Sequence, residues 1–254
     1  MRRVPETEYK EYIMWAEHNT ANSVYPCSIA GGFQSGDIYV NDGPDAEAVF
    51  FWHYCGFGYI SGKPSRELLE DICSEMISGR STRRLVLITA DEDVTAFFRS
   101  RDFLLDSRAE YRYLPHGKSA EKDTGGFRIE PIRAENYSKI EGRIIPSFSW
   151  GSSEQFLKEG FGYIALDRGS VCAAAFSAAV SSDEIDIGVE TREDHRRKGL
   201  AALLAGRMCD RIVEIGKRPV WAHAVSNMGS MHTALKCGFV RDRINTVIRK
   251  KDTV

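Results

Sequence analysis

The segment 184–201, EIDIGVETREDHRRKGLA, constrains the fold of this chain more than any other stretch. Residues 184–190 alternate polar and apolar side chains with a period of two, which predicts a strand. From Leu200 onward, apolar side chains recur every three or four residues, which predicts a helix with one buried face. The segment is therefore predicted to form a strand, a short basic turn and a helix.

The predicted turn combines three cations with two small residues. Arg196, Arg197 and Lys198 stand directly before the helix, and Gly199 and Ala201 open it. The start of a helix presents unpaired backbone N–H groups and the positive end of the helix dipole. Small residues let phosphate groups approach that backbone, so the turn predicts an anion site suited to a pyrophosphate. The alternative is a basic helix start without a ligand, in which the cations would oppose the dipole.

The amino-acid sequences of this turn and of a second block resemble motifs of a known family. The pattern R-x-x-G-x-A at 196–201 resembles the coenzyme A loop of the GNAT N-acetyltransferase superfamily. Asn227, Ser230, Gly238 and Phe239 resemble the N-x-x-S/A…G-F pattern of that family's next strand–helix–strand unit. Together the two blocks and their flanking elements cover residues 126–250. The resemblance implies an α/β fold (α+β, GNAT type) with a mixed central sheet flanked by helices.

Composition and charge exclude several classes of protein. A net charge of −2 over 254 residues offers no basic surface for nucleic acid or an anionic membrane. No apolar stretch is long enough to span a bilayer, and residues 1–20 lack the apolar run of a signal peptide. The six cysteines are scattered without C-x-x-C or metal-ligand spacing, which predicts buried thiols and no metal. We expect a soluble, cytoplasmic protein.

The two halves of the chain follow the same predicted order of elements. The interval from Gly62 to Phe103 nearly equals that from Gly199 to Phe239, and each holds a helix, a strand and a second helix. This predicts a tandem of GNAT-like units. The N-terminal copy is predicted to be degenerate, because the loop before its first helix lacks R-x-x-G-x-A. The alternative is that any two α/β halves would match equally well.

The polar stretch KSAEKDTGG, residues 118–126, is the best candidate for a domain boundary, because it lacks apolar periodicity and ends in two glycines. A predicted strand at 127–132 follows it directly. We therefore predict a degenerate GNAT-like domain at 1–118, a linker at 119–126 and an acetyl-CoA-binding GNAT N-acetyltransferase domain at 127–254.

The resemblance also implies where acetyl-CoA binds. In the family, loop amides hold the pyrophosphate, and the end of the preceding strand pairs with the pantetheine arm where two parallel strands splay apart. An asparagine after the next strand bonds the same arm; for Asn227 the alternative is the N-cap of its own helix. The residues assigned to acetyl-CoA are Val189, Glu190, Thr191, Arg196, Arg197, Lys198, Gly199, Leu200, Ala201, Asn227 and Ser230.

Acetyl transfer to an amine requires a base, a donor to the thioester oxygen and a proton for the leaving thiolate. Asp186 is our first choice for the base and Glu190 the second, because strand parity puts both on the face opposite Ile187. For Asp186 the alternative is a solvated or salt-bridged strand carboxylate. The family implies a backbone N–H near Val189 as the oxyanion donor. Many members protonate the thiolate with a tyrosine, but Ala234 occupies that position, so solvent or another group must serve.

Three further residues point to the acceptor. Trp150, Glu154 and Phe156 stand where the family often forms one wall of the acceptor pocket, with core packing as the alternative. Their motif SW-x-S-x-E-x-F, together with the two blocks above, resembles a bacterial branch that includes acetyltransferases of the zwittermicin A resistance type. This implies an acyltransferase that moves an acetyl group from acetyl-CoA to a primary amine of a small molecule, and it leaves a homodimer open.

Two other functions are compatible with the sequence. The missing tyrosine allows a sensor module that binds acyl-CoA without turnover. A double-GNAT aminoacyl transferase that uses aminoacyl-tRNA is the other alternative, although the near-neutral charge argues against binding nucleic acid. Turnover on amines distinguishes the enzyme from the sensor.

Overall fold

The computed structural model describes residues 1–41, 47–78, 81, 83–115 and 124–251. The chain divides into two compact units. The first unit consists of Met1–Ala109 and Arg243–Val254, and the second of Glu110–Asp242. Each unit is a mixed sheet flanked by helices, as the resemblance implied.

The first unit begins with short helices and continues into a sheet. Its elements are β1 (Arg2–Arg3), a 3-10 helix (Glu6–Tyr12), α1 (Ile13–Glu17), α2 (Val24–Ala30), β2 (Gly36–Val40), β3 (Ala48–His53), β4 (Phe57–Gly62), α3 (Arg66–Ser78), β5 (Val86–Thr89) and α4 (Glu92–Arg99). Strand β6 (Phe103–Tyr113) starts in this unit and ends in the second. β6 is one of two strands whose residues are divided between the units.

The second unit holds the segment that the sequence singled out. Its elements are β7 (Arg128–Pro131), α5 (Ala134–Tyr137), α6 (Pro146–Ser149), α7 (Ser153–Glu159), β8 (Gly162–Asp167), β9 (Ser170–Val180), β10 (Glu184–Thr191), a 3-10 helix (Glu193–His195), α8 (Leu200–Glu214), β11 (Arg218–Ala224) and α9 (Met228–Lys236). Strand β12 (Phe239–Lys250) starts here and ends in the first unit.

The sheets of the two units have the same kind of order. In the first unit the strands run β1-β2-β3-β4-β5-β12-β6, with β4 and β5 parallel. In the second they run β7-β8-β9-β10-β11-β6-β12, with β10 and β11 parallel. In both, a helix connects the parallel pair, and a second helix and a further strand follow. This is the repeated order predicted from the two intervals of the sequence.

Strand β3 shows how the first unit fills both faces of its sheet. All of its residues are buried, as predicted for the apolar run AVFFWHY. Phe50 belongs to the core cluster of α3 and β5, with Leu68 and Leu87. Its neighbour Phe51 belongs to the opposite cluster, with Ile29 and Ile38. Because successive strand residues point to opposite faces, both faces are covered and the strand contains no solvated side.

Three elements differ from the sequence-based expectation. The three glycines of GFGYISGK, residues 56–63, predict a loop, but β4 forms there because β3 and β5 pair with it on both sides. Residues 19–45, rich in Gly, Ser, Asn and Asp, predict mostly loop, but α2 forms within them; its Pro26 is tolerated because the first turn needs no N–H partner. The sequence also predicts a helix over 134–142, but α5 ends at Tyr137.

The division into units does not coincide with the polar stretch. It falls inside β6 and β12, because each sheet includes residues from both parts of the sequence. Most of the predicted linker at 119–126 lies outside the described residues, so the boundaries at 118 and 127 remain a prediction. Residues 243–250 were expected to belong to the C-terminal domain, whereas they pack with the first unit.

The described ranges contain neither a candidate membrane-spanning helix nor a candidate cluster of metal ligands. There, no helix combines the length and apolarity needed to cross a bilayer. In the same ranges, no group of three His, Cys, Asp or Glu side chains is arranged to hold a metal ion. All six cysteines are described and buried, and none forms a disulfide.

The assignment of residues 243–250 to the first unit predicts a long-range stability effect. Ile248 is fully buried in the core cluster with Leu68 and Leu87, whereas Ile244 on the same strand is 51% exposed. Ile248→Ala should lower the free energy of unfolding by about 2–5 kcal/mol through lost burial and a residual cavity. Ile244→Ala is the matched control and should change it by less than about 1 kcal/mol. Urea denaturation measures both, and equal effects would contradict the placement of this strand.

Candidate active site

The central feature of the second unit is a fork between two parallel strands. Pairing of β10 with β11 covers Glu184–Asp186 and Arg218–Val220. On its other side, β10 stays paired with β9 as far as Thr191. Beyond Asp186, one edge of β10 therefore faces a cleft instead of a neighbouring strand. Backbone N–H and C=O groups at such an edge need partners, and an extended ligand with amides can supply them.

Asp186, the first-choice base, lies at the closed end of the fork. It is the last β10 residue in the β11 register, opposite Val220, and is 3% exposed. Asp186 is therefore not a solvated carboxylate, while the salt-bridged alternative and the role as base both stay predictions. A buried carboxylate at this end of the fork could exchange a proton with a ligand bound beside it, directly or through a water molecule.

The turn after β10 adopts a backbone that points amides outward. Arg197 has φ +64° and Gly199 has φ +82°, both in the left-handed region. A left-handed residue followed by a right-handed helical one directs successive N–H groups to the same side, which creates an anion-binding concavity. A Cβ added to Gly199 would meet no atom within 4 Å, so this side of the backbone is open.

The start of α8 differs from the starts of α9 and α3, which side chains cap. Its N-cap is Gly199, which has no side chain to cap the helix. Asn227 caps α9 by accepting a hydrogen bond from the N–H of Ser230. In the first unit, the hydroxyl of Ser65 accepts from the N–H of Leu68 at the start of α3, the counterpart of α8. The first amides of α8 are thus left for an external acceptor.

Three exposed cations surround this helix start. Arg196 donates to the backbone oxygen of Thr191 at 3.4 Å, which draws its side chain back along β10. The Nζ atom of Lys198 lies 5.8 Å from the ring centre of Phe127, and Arg197 is exposed. The group adds positive charge beside open N–H groups, which is the electrostatic pattern of a phosphate site.

His195 is a buried histidine that no sequence motif indicated, and its hydrogen bonds hold the turn after β10 in place. His195 is 5% exposed, with Nδ1 2.7 Å from an oxygen of Asp194 and Nε2 2.9 Å from an oxygen of Asp167 at the end of β8. Arg192 donates to both oxygens of Asp194. Hydrogen bonds that the ring donates, first to Asp167 and then to Asp194, raise the pKa of His195. Hydrogen bonds that Asp194 accepts, first from Arg192 and then from His195, lower the pKa of Asp194. No local motif could have revealed a pair 28 positions apart.

Glu190, the second-choice base, is bonded to another part of the chain. Its Oε2 atom accepts hydrogen bonds from the N–H of Arg143 at 3.0 Å and of Ile144 at 2.9 Å. The side chain also packs closely against Gly142. Glu190 therefore connects β10 to the segment between α5 and α6. Val189 and Thr191, on either side of it, are half-buried at the open end of the cleft.

The residues assigned to the coenzyme tail also have partners within the protein. Asn227 acts as the N-cap of α9, the alternative considered for it. The hydroxyl of Ser230 accepts a hydrogen bond from the indole N–H of Trp221 at 3.0 Å. Ala234 is fully buried and offers no hydroxyl group. Contact of Asn227 and Ser230 with a coenzyme stays a prediction.

The three residues assigned to the acceptor pocket lie in different environments. Trp150 and Phe156 are almost fully buried and pack edge to face, and the Trp150 indole donates to the backbone oxygen of Ser177. This arrangement corresponds to the core-packing alternative. Glu154 is exposed in the first turn of α7. Residue type allows Ser152 or Ser153 as the N-cap of this helix, and the structure has Ser152. A role of any of the three in acceptor binding stays a prediction.

A forked parallel pair with an uncapped, positively charged helix start defines a fold able to hold an extended, phosphate-bearing ligand. The family model of the GNAT acetyltransferases matches residues 16–248. The chain belongs to the GNAT acetyltransferase family and is an acyltransferase. The match includes both units, in agreement with the predicted tandem.

The chain is similar to a curated relative over most of its length, and solved structures share its fold. An uncharacterized N-acetyltransferase of Bacillus subtilis (strain 168), YdfB, is 23% identical over 212 residues, which cover 80% of this chain and 81% of the relative. A GCN5-related N-acetyltransferase-like protein from Streptococcus suis 89/1591 has a TM-score of 0.74 at 22% identity, covering 97% and 100% of the two chains. A tandem GNAT protein from the clavulanic acid biosynthesis pathway has a TM-score of 0.63 at 10% identity, covering 95% and 93%.

The histidine network predicts a pH-dependent contribution to stability. A raised pKa in the folded state means that His195 stabilises fully below its unfolded pKa of about 6.5, and that this stabilisation is lost as pH rises through the folded-state value. The difference in free energy of unfolding between wild type and His195→Gln should therefore be largest near about pH 6 and shrink toward about pH 9.

Urea denaturation across this pH range provides the measurement. His232→Gln, at an exposed position on α9 in the same unit, gives the background for loss of a histidine. A His195→Gln difference that stays constant or grows with pH would show that the two carboxylates do not hold the protonated ring.

Proposed function

We propose that this chain transfers an acetyl group from acetyl-CoA to a primary amine of a small molecule. The observation that carries the proposal is the uncapped start of α8 beside the fork of β10 and β11. The loop amides from Arg197 to Ala201 would hold the pyrophosphate, with Arg196, Arg197 and Lys198 adding charge. The open edge of β10 at Val189–Thr191 would pair with the amides of the pantetheine arm.

The coenzyme is proposed to bind the second unit only. In the first unit, Ser65 closes the start of α3. The corresponding edge of β4 is also engaged, because the amide of Asn19 donates to the backbone oxygen of Ile60 at 3.0 Å and to the hydroxyl of Ser61 at 2.9 Å. In the first unit, side chains of the protein itself therefore engage one amide at the helix start and one backbone oxygen of β4, which supports a degenerate copy.

The proposed reaction needs the amine in its neutral form. Asp186 would take a proton from the substrate ammonium, directly or through water, so that the nitrogen lone pair can attack the thioester carbon. As the nitrogen adds to the carbonyl carbon, the negative charge that develops on the thioester oxygen would be stabilised by a backbone N–H near Val189; collapse of this intermediate re-forms the C=O bond and breaks the C–S bond. The thiolate takes its proton from solvent or another group, because Ala234 has none to give.

A small-molecule acceptor is favoured over aminoacyl-tRNA. The net charge of −2 offers little attraction for a polyanion. The tandem GNAT protein from the clavulanic acid pathway shares this fold and comes from small-molecule biosynthesis, which supports an acceptor of that class. The resemblance to the zwittermicin A resistance branch leads to the same class, with an amine-bearing antibiotic as the first substrate to test.

Thiol release from acetyl-CoA across a panel of amines tests the proposal. The panel includes aminoglycosides, polyamines and peptide N-termini. Wild type should release thiol with at least one small amine, and Asp186→Asn should lower kcat by ~10²–10⁴-fold with little change in acetyl-CoA affinity. The activity should partly return at higher pH, where more amine is already deprotonated. Binding of acetyl-CoA without turnover on any amine would favour the sensor, and full kcat in Asp186→Asn would exclude that base.

Acetyl-CoA binding is tested separately at the helix start. Gly199→Glu places a side chain and a negative charge where the phosphates would approach, and it should weaken acetyl-CoA binding by on the order of 100-fold or more in calorimetry. Gly216→Glu is a matched control after the other end of α8. Both glycines have positive φ and open space around an added Cβ, so both substitutions cause comparable backbone strain. Equal affinity in the two variants would overturn the placement of the coenzyme.

A further inference from the structure

We propose that Glu190 is a positioning residue that holds the segment 142–144 against β10, and that it does not act as the proton acceptor. The inference rests on the proposed function, because the segment lies beside the open end of the cleft where an acceptor amine would enter. The proposal concerns the acceptor amine. The segment 142–144, when it is held against β10, sets the affinity for a small amine.

The contact joins one carboxylate oxygen to two consecutive amides. Oε2 of Glu190 accepts from the N–H of Arg143 and from the N–H of Ile144, at 3.0 Å and 2.9 Å. A carboxylate oxygen offers two lone pairs, and both are used here. Oε2 is thereby committed to the segment, and the Glu190→Gln variant below tests whether the other oxygen, Oε1, serves as a proton acceptor. The two hydrogen bonds attach the backbone of Arg143 and Ile144 to the side chain of Glu190 on β10.

Gly142 brings the backbone close enough for this contact. Its φ of +139° lies in the region that favours glycine, and an added Cβ would stand 2.4 Å from Cγ and 2.8 Å from Cδ of Glu190. Any larger residue would thus strain its own backbone and push the Glu190 side chain away. The contact between Glu190 and the segment therefore requires both the carboxylate and a glycine at position 142.

Glu190 bridges a stretch that is otherwise exposed. Residues 141–144 are exposed, between the buried side chains of Ile140 and Pro146. Within the described ranges, the N–H groups of Arg143 and Ile144 have no other hydrogen-bond partner. Loss of the Glu190 side chain would return both amides to water and free the segment between its two buried ends.

The experiment compares variants that separate the anchor from the base. Glu190→Ala removes the anchor and any basicity, whereas Glu190→Gln removes basicity but keeps a carbonyl oxygen that can accept both N–H groups. Gly142→Ala disturbs the contact from the opposite side. Glu184→Ala, at the start of the same strand and paired with Arg218, is the control.

Kinetics with the best amine of the panel gives the first readout. Glu190→Ala and Gly142→Ala should each raise KM for the amine by roughly tenfold, the factor expected when two charge-assisted hydrogen bonds no longer favour the closed segment. Their kcat should fall by no more than about threefold, because the base remains in place. Glu190→Gln should recover most of the amine affinity lost in Glu190→Ala. The double variant Gly142→Ala/Glu190→Ala should be no worse than either single one.

Hydrogen exchange at the amides of Arg143 and Ile144 gives a readout that does not require activity. Exchange should be faster in Glu190→Ala and Gly142→Ala, and close to wild type in Glu190→Gln and Glu184→Ala. Unchanged exchange in Glu190→Ala overturns the proposal. So does a loss of kcat of about 100-fold or more in both Glu190→Gln and Glu190→Ala, since Glu190 would then be the base. If wild type acetylates no amine, the proposed function fails, and the exchange rates still decide whether Glu190 holds the segment.

Discussion

The candidate site depends on the early end of pairing between β10 and β11. At the same position, the register between β10 and β9 shifts, and Ala178 of β9 is left as an extra residue beside Asp186 and Ile187. A bulge bends a strand and increases its local twist, which favours divergence from the neighbour on the other side. Gly188 follows, and the Phe176 ring occupies the space where its Cβ would stand, with the nearest ring atom at 2.6 Å. The open edge of β10 and the buried position of Asp186 both follow from this local geometry.

Two carboxylate contacts keep the borders of the cleft in place. Asp167 receives a hydrogen bond from His195 and so attaches the turn before α8 to the end of β8. Glu190 receives two backbone hydrogen bonds and attaches the segment before α6 to β10. In each case a charged acceptor holds a loop whose own backbone has few internal hydrogen bonds, and such charge-assisted bonds are stronger than neutral ones. The backbone of the cleft is thereby preorganised, which reduces the ordering that a ligand must impose.

Local patterns predicted the elements of the site better than its contacts. The strand, turn and helix at 184–214 follow from periodicity and charge alone, and the Ser152 cap follows from residue type. Strand β4 was missed because its stability comes from pairing on both sides, which a short glycine-containing sequence does not show. Strand parity correctly grouped Asp186 with Glu190, but it could not show that Glu190 meets a segment more than forty residues earlier. Contacts of this kind depend on tertiary structure and leave no local signal.

The shared strands explain why two copies persist in one chain although only one has the open helix start. The second unit includes Glu110–Tyr113, where Tyr111 stacks on His223 and Tyr113 packs against Phe239. The first unit includes residues 243–250, which pair with β5 and bury Ile248. A chain cut at the polar stretch would thus deprive each sheet of a strand and expose apolar side chains. If the first copy is degenerate, as proposed, it would still be retained, because the second unit includes the end of β6, a strand that begins in the first.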